Sequence, residues 1–268
     1  MQFGYCVNMI AQDEYGIGFE RIPKLKKIGF DYVELPLAQM MRLGEKAFRT
    51  KVLDTIDQYA LPCFCCNNFF PPSYRLTGPE ADHESALAYA NAALSRAAAL
   101  GAKKVVFGSG GARNMPLGFS CQKALEQLSS LLQSLGNMAA AYGITLVIEP
   151  LNISESNVIN RFSQGLSLAR QVNHPQVAAL ADSYHMRLSQ EPWENLLDGG
   201  SRLQHMHIAR PLHRSLPMAL DGEKYNDFFA NALQAGYNGT VSIEAYLLPG
   251  QEIEDIQVSL QYLRQQVG

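Results

Sequence analysis

The second half of the chain repeats one pattern four times: a short apolar run ends on a side chain that can bind a hard divalent cation. The four runs are TLVIEP with Glu149, AALADSYH with Asp182, LQHMHIAR with His207 and TVSIEAY with Glu244. Apolar runs of this length are typical of buried strands. Because the carboxyl ends of parallel strands meet at one edge of a sheet, the four side chains are expected to lie together there.

Apolar runs alternate along the whole chain with segments that have the 3.6-residue periodicity of helices. We predict eight strands, at QFGYCVN, FDYVELP, PCFCCN, KKVVFG, ITLVIEP, VAALAD, LQHMHI and TVSIEA. We predict eight helices, at about residues 19–28, 45–59, 80–100, 120–142, 164–172, 191–197, 225–235 and 252–266. The repeating unit is therefore a strand, a loop and a helix.

Strict alternation of strands and helices predicts parallel strands joined by right-handed crossovers. Eight such units in roughly 250 residues favour a closed (β/α)8 TIM barrel, and we expect one domain over residues 1–268. An open doubly wound sheet is the alternative. The barrel is favoured because the four ligand candidates follow consecutive strands at the rim where barrel enzymes build their sites. The GxGxxG motif of a dinucleotide fold is also absent after the first strand.

The composition and net charge of the chain argue against two kinds of partner, nucleic acids and membranes. Of the 268 residues, 47% are hydrophobic and 18% are charged, with a net charge of -3. This balance gives no basic surface for nucleic acid, so no nucleic-acid partner is expected. No stretch of about 18 apolar residues and no signal-peptide pattern is present, so we expect no membrane partner and a cytoplasmic protein.

Barrel geometry allows the four candidates to share one ion. Strands five and eight lie three strand spacings apart, so inward Glu149 and Glu244 are expected to place their oxygens about 4 to 5 Å apart. Three carboxylates and one imidazole favour Mn²⁺, Co²⁺ or Mg²⁺ over a structural zinc. His205 shares the inward face of strand seven one layer deeper, and we interpret it as a buried, hydrogen-bonded residue beneath the site.

Two loops of the first half are candidates for the pocket. The loop GSGGARN, residues 108–114, offers backbone N–H groups and Arg113 at the same rim. We interpret the loop first as a plain glycine-rich turn, with a phosphate site as the alternative. Arg113 and Arg75 are candidates to bind an anionic group of a substrate. The loop CNNFFPP, with Phe69 and Phe70, is expected to line the pocket, form a dimer contact or pack in the core.

Several short motifs together resemble one family. They are EPLN with Glu155 six residues after Glu149, ADSYHM with His185 three residues after Asp182, HMH ending at His207, and SIEAY with Glu244. This pattern is similar to that of the xylose isomerase-like sugar isomerase and epimerase superfamily, and within it to the ketose 3-epimerases, the tagatose and psicose 3-epimerase group. The resemblance covers nearly the whole chain.

The resemblance implies particular roles. The four ligand candidates would hold one Mn²⁺-type ion, with Glu149 and Glu244 also acting as the acid–base pair. Glu155 and His185 would bind substrate hydroxyls, and a homo-oligomer, dimer or tetramer, would be typical. The family places a substrate-binding arginine six residues after the strand-seven histidine. Here that position is His213, so the neighbouring Arg210 and Arg214 are both candidates for the role.

The residue types suit proton transfer next to a carbonyl. A cation that chelates the carbonyl and a neighbouring hydroxyl stabilises an enediolate, and two carboxylates on opposite faces can invert the carbon. Together with the resemblance to the ketose 3-epimerases, this chemistry predicts an isomerase that epimerises a ketose at C3. The alternative is a metal-dependent lyase of the same superfamily, like inosose dehydratases or C-glycoside deglycosidases. A metal-bearing sugar-binding protein is a further alternative. An apurinic endonuclease, which needs additional histidine and glutamate ligands for three metal ions and a basic face, is disfavoured by the few spare histidines and the negative net charge.

Overall fold

Eight parallel strands form a closed barrel in chain order in the computed structural model, which describes all 268 residues. The strands are β1 Gln2–Cys6, β2 Tyr32–Pro36, β3 Cys63–Asn67, β4 Lys104–Phe107, β5 Thr145–Ile148, β6 Val177–Asp182, β7 Leu203–Ile208 and β8 Thr240–Ile243. β1 pairs with both β2 and β8, which closes the sheet. The predicted TIM barrel is confirmed, and the open sheet is wrong.

The helices surround the barrel. They are α1 Ile22–Ile28, α2 Leu37–Met40, α3 Glu45–Ala47, α4 Asp54–Tyr59, α5 His83–Ala99, α6 Gly110–Arg113, α7 Cys121–Ala141, α8 Phe162–Val172, α9 Ser183–Leu188, α10 Tyr225–Gln234 and α11 Asp255–Gln266. A π-helical segment, Phe48–Leu53, joins α3 to α4, so the predicted helix 45–59 is continuous. None of the helices is long and apolar enough to span a membrane.

Some helical segments differ from the prediction. The helix predicted at 191–197 is a 3-10 helix, Trp193–Asp198, that begins directly after a proline. The short helices α2, α6 and α9 were not predicted, because four to six residues are too few to show a helical period. They begin directly after or within a few residues of the ends of β2, β4 and β6, so they shape the rim around the site.

The barrel interior is apolar on one side and polar on the other. A small apolar cluster fills the side formed by β3 to β6: Cys65, Val106, Val147, Ala178 and Leu180. On the opposite side Glu34 of β2, His205 of β7 and Ser242 of β8 are fully buried. A much larger apolar cluster lies between the barrel and its helices. The fold is thus stabilised mainly outside the barrel, and polar groups occupy half of its interior.

Candidate metal centre and active site

The structure brings the four predicted ligands together. One ligand atom each from Glu149, Asp182, His207 and Glu244 lies within 4.8 Å of the others. Nδ1 of His207 is 2.9 Å from Oε1 of Glu149 and 3.0 Å from Oε2 of Glu244. All four side chains are buried. The cluster forms because inward positions at the ends of β5 to β8 converge on the barrel axis.

The donor set fits a divalent cation. Three carboxylates this close repel one another, and within the protein only Arg214 and His207 offset their charge directly. Arg214 donates to Oε2 of Glu244 and lies 3.4 Å from Oδ2 of Asp182. Carboxylate oxygens with one imidazole are ligands for Mg²⁺, Mn²⁺ and similar ions rather than for a closed thiolate zinc site. The cluster is therefore a candidate metal centre.

The surroundings shift the pKa values of the carboxyl groups in opposite directions. Burial, together with the charge of Glu244, raises the pKa of Glu149. Burial also raises the pKa of Asp182, to about 7. Burial would raise the pKa of Glu244 as well, but the charges of Arg214 and His207 outweigh it and lower the value to about 2. Two carboxylates whose pKa values diverge are typical of an acid–base pair.

Cation binding is expected to weaken as the pH falls below about 7. Glu149 and Asp182 have raised pKa values, and His207 does too, because Glu34 and Glu244 outweigh the effect of its burial. Each of these groups holds a proton at low pH that a cation must displace, so the affinity changes ~tenfold per pH unit for each proton released. Calorimetric titration with Mn²⁺ at about pH 6 and about pH 8 checks this. A dissociation constant independent of pH would contradict it.

His185 offers one hydrogen-bond donor next to the metal cluster. Its Nδ1 accepts from the backbone N–H and the side-chain amide of Asn152, both at 3.0 Å. The ring proton therefore lies on Nε2, which is buried without a partner, 3.5 Å from Asp182 and 4.0 Å from Glu155. Burial and the charge of Arg214 hold the pKa of His185 well below its usual value. A neutral imidazole with an unpaired N–H suits a substrate oxygen.

Of the two arginines considered in the loop after β7, Arg214 enters the site. Its guanidinium also lies 3.6 Å from Glu155 and stacks over the ring of Tyr184 at 4.8 Å. His213 and Arg214 both have positive φ, 61° and 47°, so the backbone coils tightly here. Arg210 instead closes the loop through its backbone N–H, which donates to Ser215 at 2.9 Å, and its side chain makes no hydrogen bond within the site.

The glycine-rich loop differs from the prediction. Arg113 is fully buried, and its guanidinium donates to the carbonyls of Phe107 and Ile159 at 3.0 and 3.4 Å. The prediction that Arg113 binds substrate is therefore wrong, because its charged group stabilises the backbone. Arg75 likewise donates to the carbonyls of Pro72 and Tyr74. The loop contributes backbone and Ser109 to the pocket instead.

A cavity of about 440 Å³ opens above the metal cluster, a size typical of small-molecule sites. Its inner end contains Glu149, Glu155, Arg214 and Glu244. Its outer wall comes from the loops after β2, β3 and β4: Ala38, Gln39, Arg42, Asn68, Phe70, Pro71, Pro72, Ser109, Gly110 and Gly111. Phe69 and Phe70 are both buried in the core, and Phe70 also lines the pocket. Gln39, Arg42, Asn68 and Ser109 give this wall hydrogen-bonding side chains, as expected for a hydroxylated ligand.

Gly108→Ala is expected to weaken cation binding. A Cβ at Gly108 would lie 2.2 Å from Oε2 of Glu149, so the carboxylate would have to move. We expect this displacement of a ligand to lower the metal affinity roughly 10- to 100-fold, as the loss of a ligand's hydrogen-bonding partner does. Gly44→Ala is the matched control, since its Cβ meets no atom within 4 Å. Equal Mn²⁺ affinities of the two variants, measured by calorimetry, would contradict this role of Gly108.

Glu34 is a residue of the site that was not predicted from the sequence. This residue is fully buried on β2, with Oε2 2.9 Å from Nε2 of His205 and Oε1 3.0 Å from Nε2 of His207. Burial would raise its pKa, but the two imidazoles outweigh burial and hold the pKa well below its usual value. The available signal was a charged residue within the apolar strand run FDYVELP. His205 is buried beneath the metal cluster, at the depth predicted for it.

A closed parallel barrel whose rim gathers three carboxylates and an imidazole defines a TIM-barrel protein with a candidate metal centre at its carboxyl-terminal face. The model of the xylose isomerase-like TIM barrel family matches residues 22–266, so the chain belongs to that family. The resemblance drawn from the motifs around the four ligands is confirmed at this level.

The curated relatives that match part of the chain are ketose 3-epimerases, and the solved structures with a similar fold include sugar epimerases. The chain is 30% identical over 129 residues to an L-ribulose 3-epimerase of Methylomonas sp. (strain DH-1). The aligned region covers 48% of this chain and 43% of the relative. The present structure superimposes on that of a D-psicose 3-epimerase with D-tagatose from Clostridium cellulolyticum H10 with a TM-score of 0.87 and 18% identity. The match covers 100% of this chain and 99% of the other. A 3-keto-D-glucoside 4-epimerase from E. coli gives a TM-score of 0.84, at 20% identity over 99% of each chain.

The aligned regions span less than half the length of the curated ketose 3-epimerases, between 38% and 44%. The solved structures are similar over nearly their whole length, and at these identities they show a shared fold.

Proposed function

We propose that this protein is a divalent-metal-dependent sugar epimerase that inverts C3 of a ketose through a cis-enediolate. The observation that supports this best is the convergence of Glu149 and Glu244 on one point from β5 and β8, three strands apart around the barrel. The named activities of the curated relatives, ketose 3-epimerases, support the same substrate class.

Glu149, Asp182, His207 and Glu244 would hold the cation, for which Mn²⁺ is the first choice and Co²⁺ or Mg²⁺ the alternatives. A bound divalent cation supplies charge stabilisation for the two oxygens of the enediolate. Glu149 and Glu244, two of these four ligands, would then lie close enough to the reacting carbon to exchange its proton.

The protein's own side chains perform the proton transfer. One of Glu149 and Glu244 removes the proton from C3, and the other returns a proton from the opposite face. Which one acts first depends on the epimer that is bound.

Three further side chains would hold the sugar. The unpaired Nε2–H of His185 donates to a substrate oxygen, and Glu155, 37% exposed in its side chain, accepts from a hydroxyl. Arg214 lies between Glu155 and Glu244, where it can donate to a substrate oxygen and orient the acid–base carboxylate. The uncharged polar side chains of the outer wall, Gln39, Asn68 and Ser109, face the remaining hydroxyls.

A conversion assay tests the proposal. The protein is stripped with a chelator, reloaded with Mn²⁺ and incubated with free and phosphorylated ketoses, and the products are separated by chromatography. A 3-epimer that forms only with metal present supports the proposal. Loss of a β leaving group from a keto-glycoside or inosose would indicate the lyase alternative. Sugar-dependent thermal stabilisation without any product would indicate a binding protein.

A further inference from the structure

A chain of hydrogen bonds crosses the polar side of the barrel from its floor to the metal cluster. Nζ of Lys104 is 2.9 Å from Oγ1 of Thr240, which is 2.8 Å from Nδ1 of His205. Nε2 of His205 is 2.9 Å from Oε2 of Glu34, and Oε1 of Glu34 is 3.0 Å from Nε2 of His207. The two imidazoles are fully buried, as is Glu34. Four strands thus contribute to one continuous path.

The donors in this path point in one direction. The ammonium of Lys104 can only donate, so the hydroxyl of Thr240 accepts from it and donates its own hydrogen to Nδ1 of His205. His205 then keeps its proton on Nε2 and donates to Glu34. A carboxylate can only accept, so Glu34 receives this proton on one oxygen and the Nε2–H of His207 on the other.

Glu34 is fully satisfied as a carboxylate. Besides the two imidazoles, the hydroxyl of Ser242 donates to Oε2 at 2.6 Å, and Ser242 is itself 2.8 Å from the hydroxyl of Tyr32. A buried charge is tolerated only when it is paired and hydrogen-bonded in this way. The two oxygens differ in what they contact: Oε2 contacts His205 and Ser242, whereas Oε1 contacts His207.

We propose that Glu34 is a positioning residue for the metal centre: it accepts the Nε2–H of His207 and so directs Nδ1 of that ring, free of a proton, at the cation. This proposal depends on the metal centre in the proposed function. A ring proton on Nδ1 would point at Glu149 and Glu244 and occupy the place of the cation. A carboxylate behind a histidine ligand fixes both the tautomer and the ring plane.

Glu34→Gln tests the role, with Ser242→Ala as the matched control. The amide keeps the shape of Glu34 but cannot accept from both imidazoles. Ser242→Ala removes a donor to the other oxygen of the same carboxylate and leaves the bond to His207 in place. We expect Glu34→Gln to weaken Mn²⁺ binding, measured by electron paramagnetic resonance, roughly 10- to 100-fold, and Ser242→Ala to change it less than about threefold. Saturating Mn²⁺ should restore most of the turnover of Glu34→Gln, since the effect acts through the metal.

A second measurement needs no variant. In ¹⁵N-labelled wild-type protein loaded with diamagnetic Zn²⁺, imidazole NMR should show a proton on Nε2 of His207 and none on Nδ1. Equal Mn²⁺ affinity of wild type and Glu34→Gln, or a proton on Nδ1, would overturn the role of Glu34. Tight Mn²⁺ binding that depends on Glu34, without turnover of any ketose, would overturn the proposed function alone. Failure of the wild type to bind Mn²⁺ would overturn both.

Discussion

Glu149→Gln and Glu244→Gln are each expected to lower the rate of C3 epimerisation roughly 10²–10⁴-fold at saturating metal. Inversion needs both groups, because one carboxylate serves each face of the carbon. A single remaining carboxylate can still remove and return a proton on its own face. In D₂O each variant should therefore exchange the C3 proton of one epimer without inverting it, and the two variants should act on opposite epimers.

The two glutamine variants serve as controls for each other. Glutamine keeps a ligand oxygen, and Mn²⁺ content measured alongside turnover separates a lost ligand from a lost base. Inversion at the wild-type rate by either variant, with metal bound, would contradict the roles of Glu149 and Glu244. Exchange of the same epimer by both variants would contradict their placement on opposite faces.

Arg214→Met is expected to impair catalysis without weakening the metal. The guanidinium contacts Glu244 and Asp182 and lies close to Glu155, so its loss leaves a substrate oxygen and a carboxylate without their charged donor. The loss of these charge-assisted hydrogen bonds is expected to lower kcat/KM roughly 10- to 100-fold. Removal of a positive charge beside three carboxylates should make Mn²⁺ bind at least as tightly as in the wild type.

The same variant should affect stability in a metal-dependent way. Breaking a buried ion pair lowers the free energy of unfolding by roughly 3–5 kcal/mol, because it leaves uncompensated charge. Bound Mn²⁺ would restore much of this free energy of unfolding, because its positive charge replaces that of Arg214. Arg210→Met is the matched control from the same loop, and its side chain makes no hydrogen bond within the site. Urea unfolding with and without Mn²⁺ checks this; a loss equal in both variants, or unchanged by Mn²⁺, would contradict it.

The sequence predicted the strands and the cluster of ligands because both depend on local pattern and chain order. Apolar runs mark the strands, and strict alternation with helices predicts that they are parallel. The ligand candidates at the ends of consecutive strands then favour a closed barrel over an open sheet. Glu149, Asp182, His207 and Glu244 each lie near the carboxyl end of a predicted strand, so their convergence follows once the barrel closes. The short rim helices were missed because four to six residues are too few to show a helical period.

Residues whose role depends on a distant partner could not be predicted. Glu34 on β2 contacts β7 across the barrel, and nothing near it in the chain indicates this. Arg113 is buried because two backbone carbonyls accept from its guanidinium, whereas an arginine in a glycine-rich loop ordinarily suggests an exposed charge. The choice of Arg214 over Arg210 depends on two successive residues with positive φ, which neither His213 nor Arg214 would suggest from its type.

Proton NMR of the metal-loaded protein in D₂O, with a panel of ketoses, follows the fate of the proton on the reacting carbon. Mn²⁺ loads the protein first and is exchanged for Mg²⁺ where paramagnetic broadening hides the signals. A metal-dependent epimerase of the proposed kind incorporates deuterium at C3 while a second epimer appears, and a chelator stops both. Deuterium at C1 would indicate aldose–ketose isomerisation instead. A metal-loaded protein that exchanges no ketose proton would contradict the enediolate mechanism.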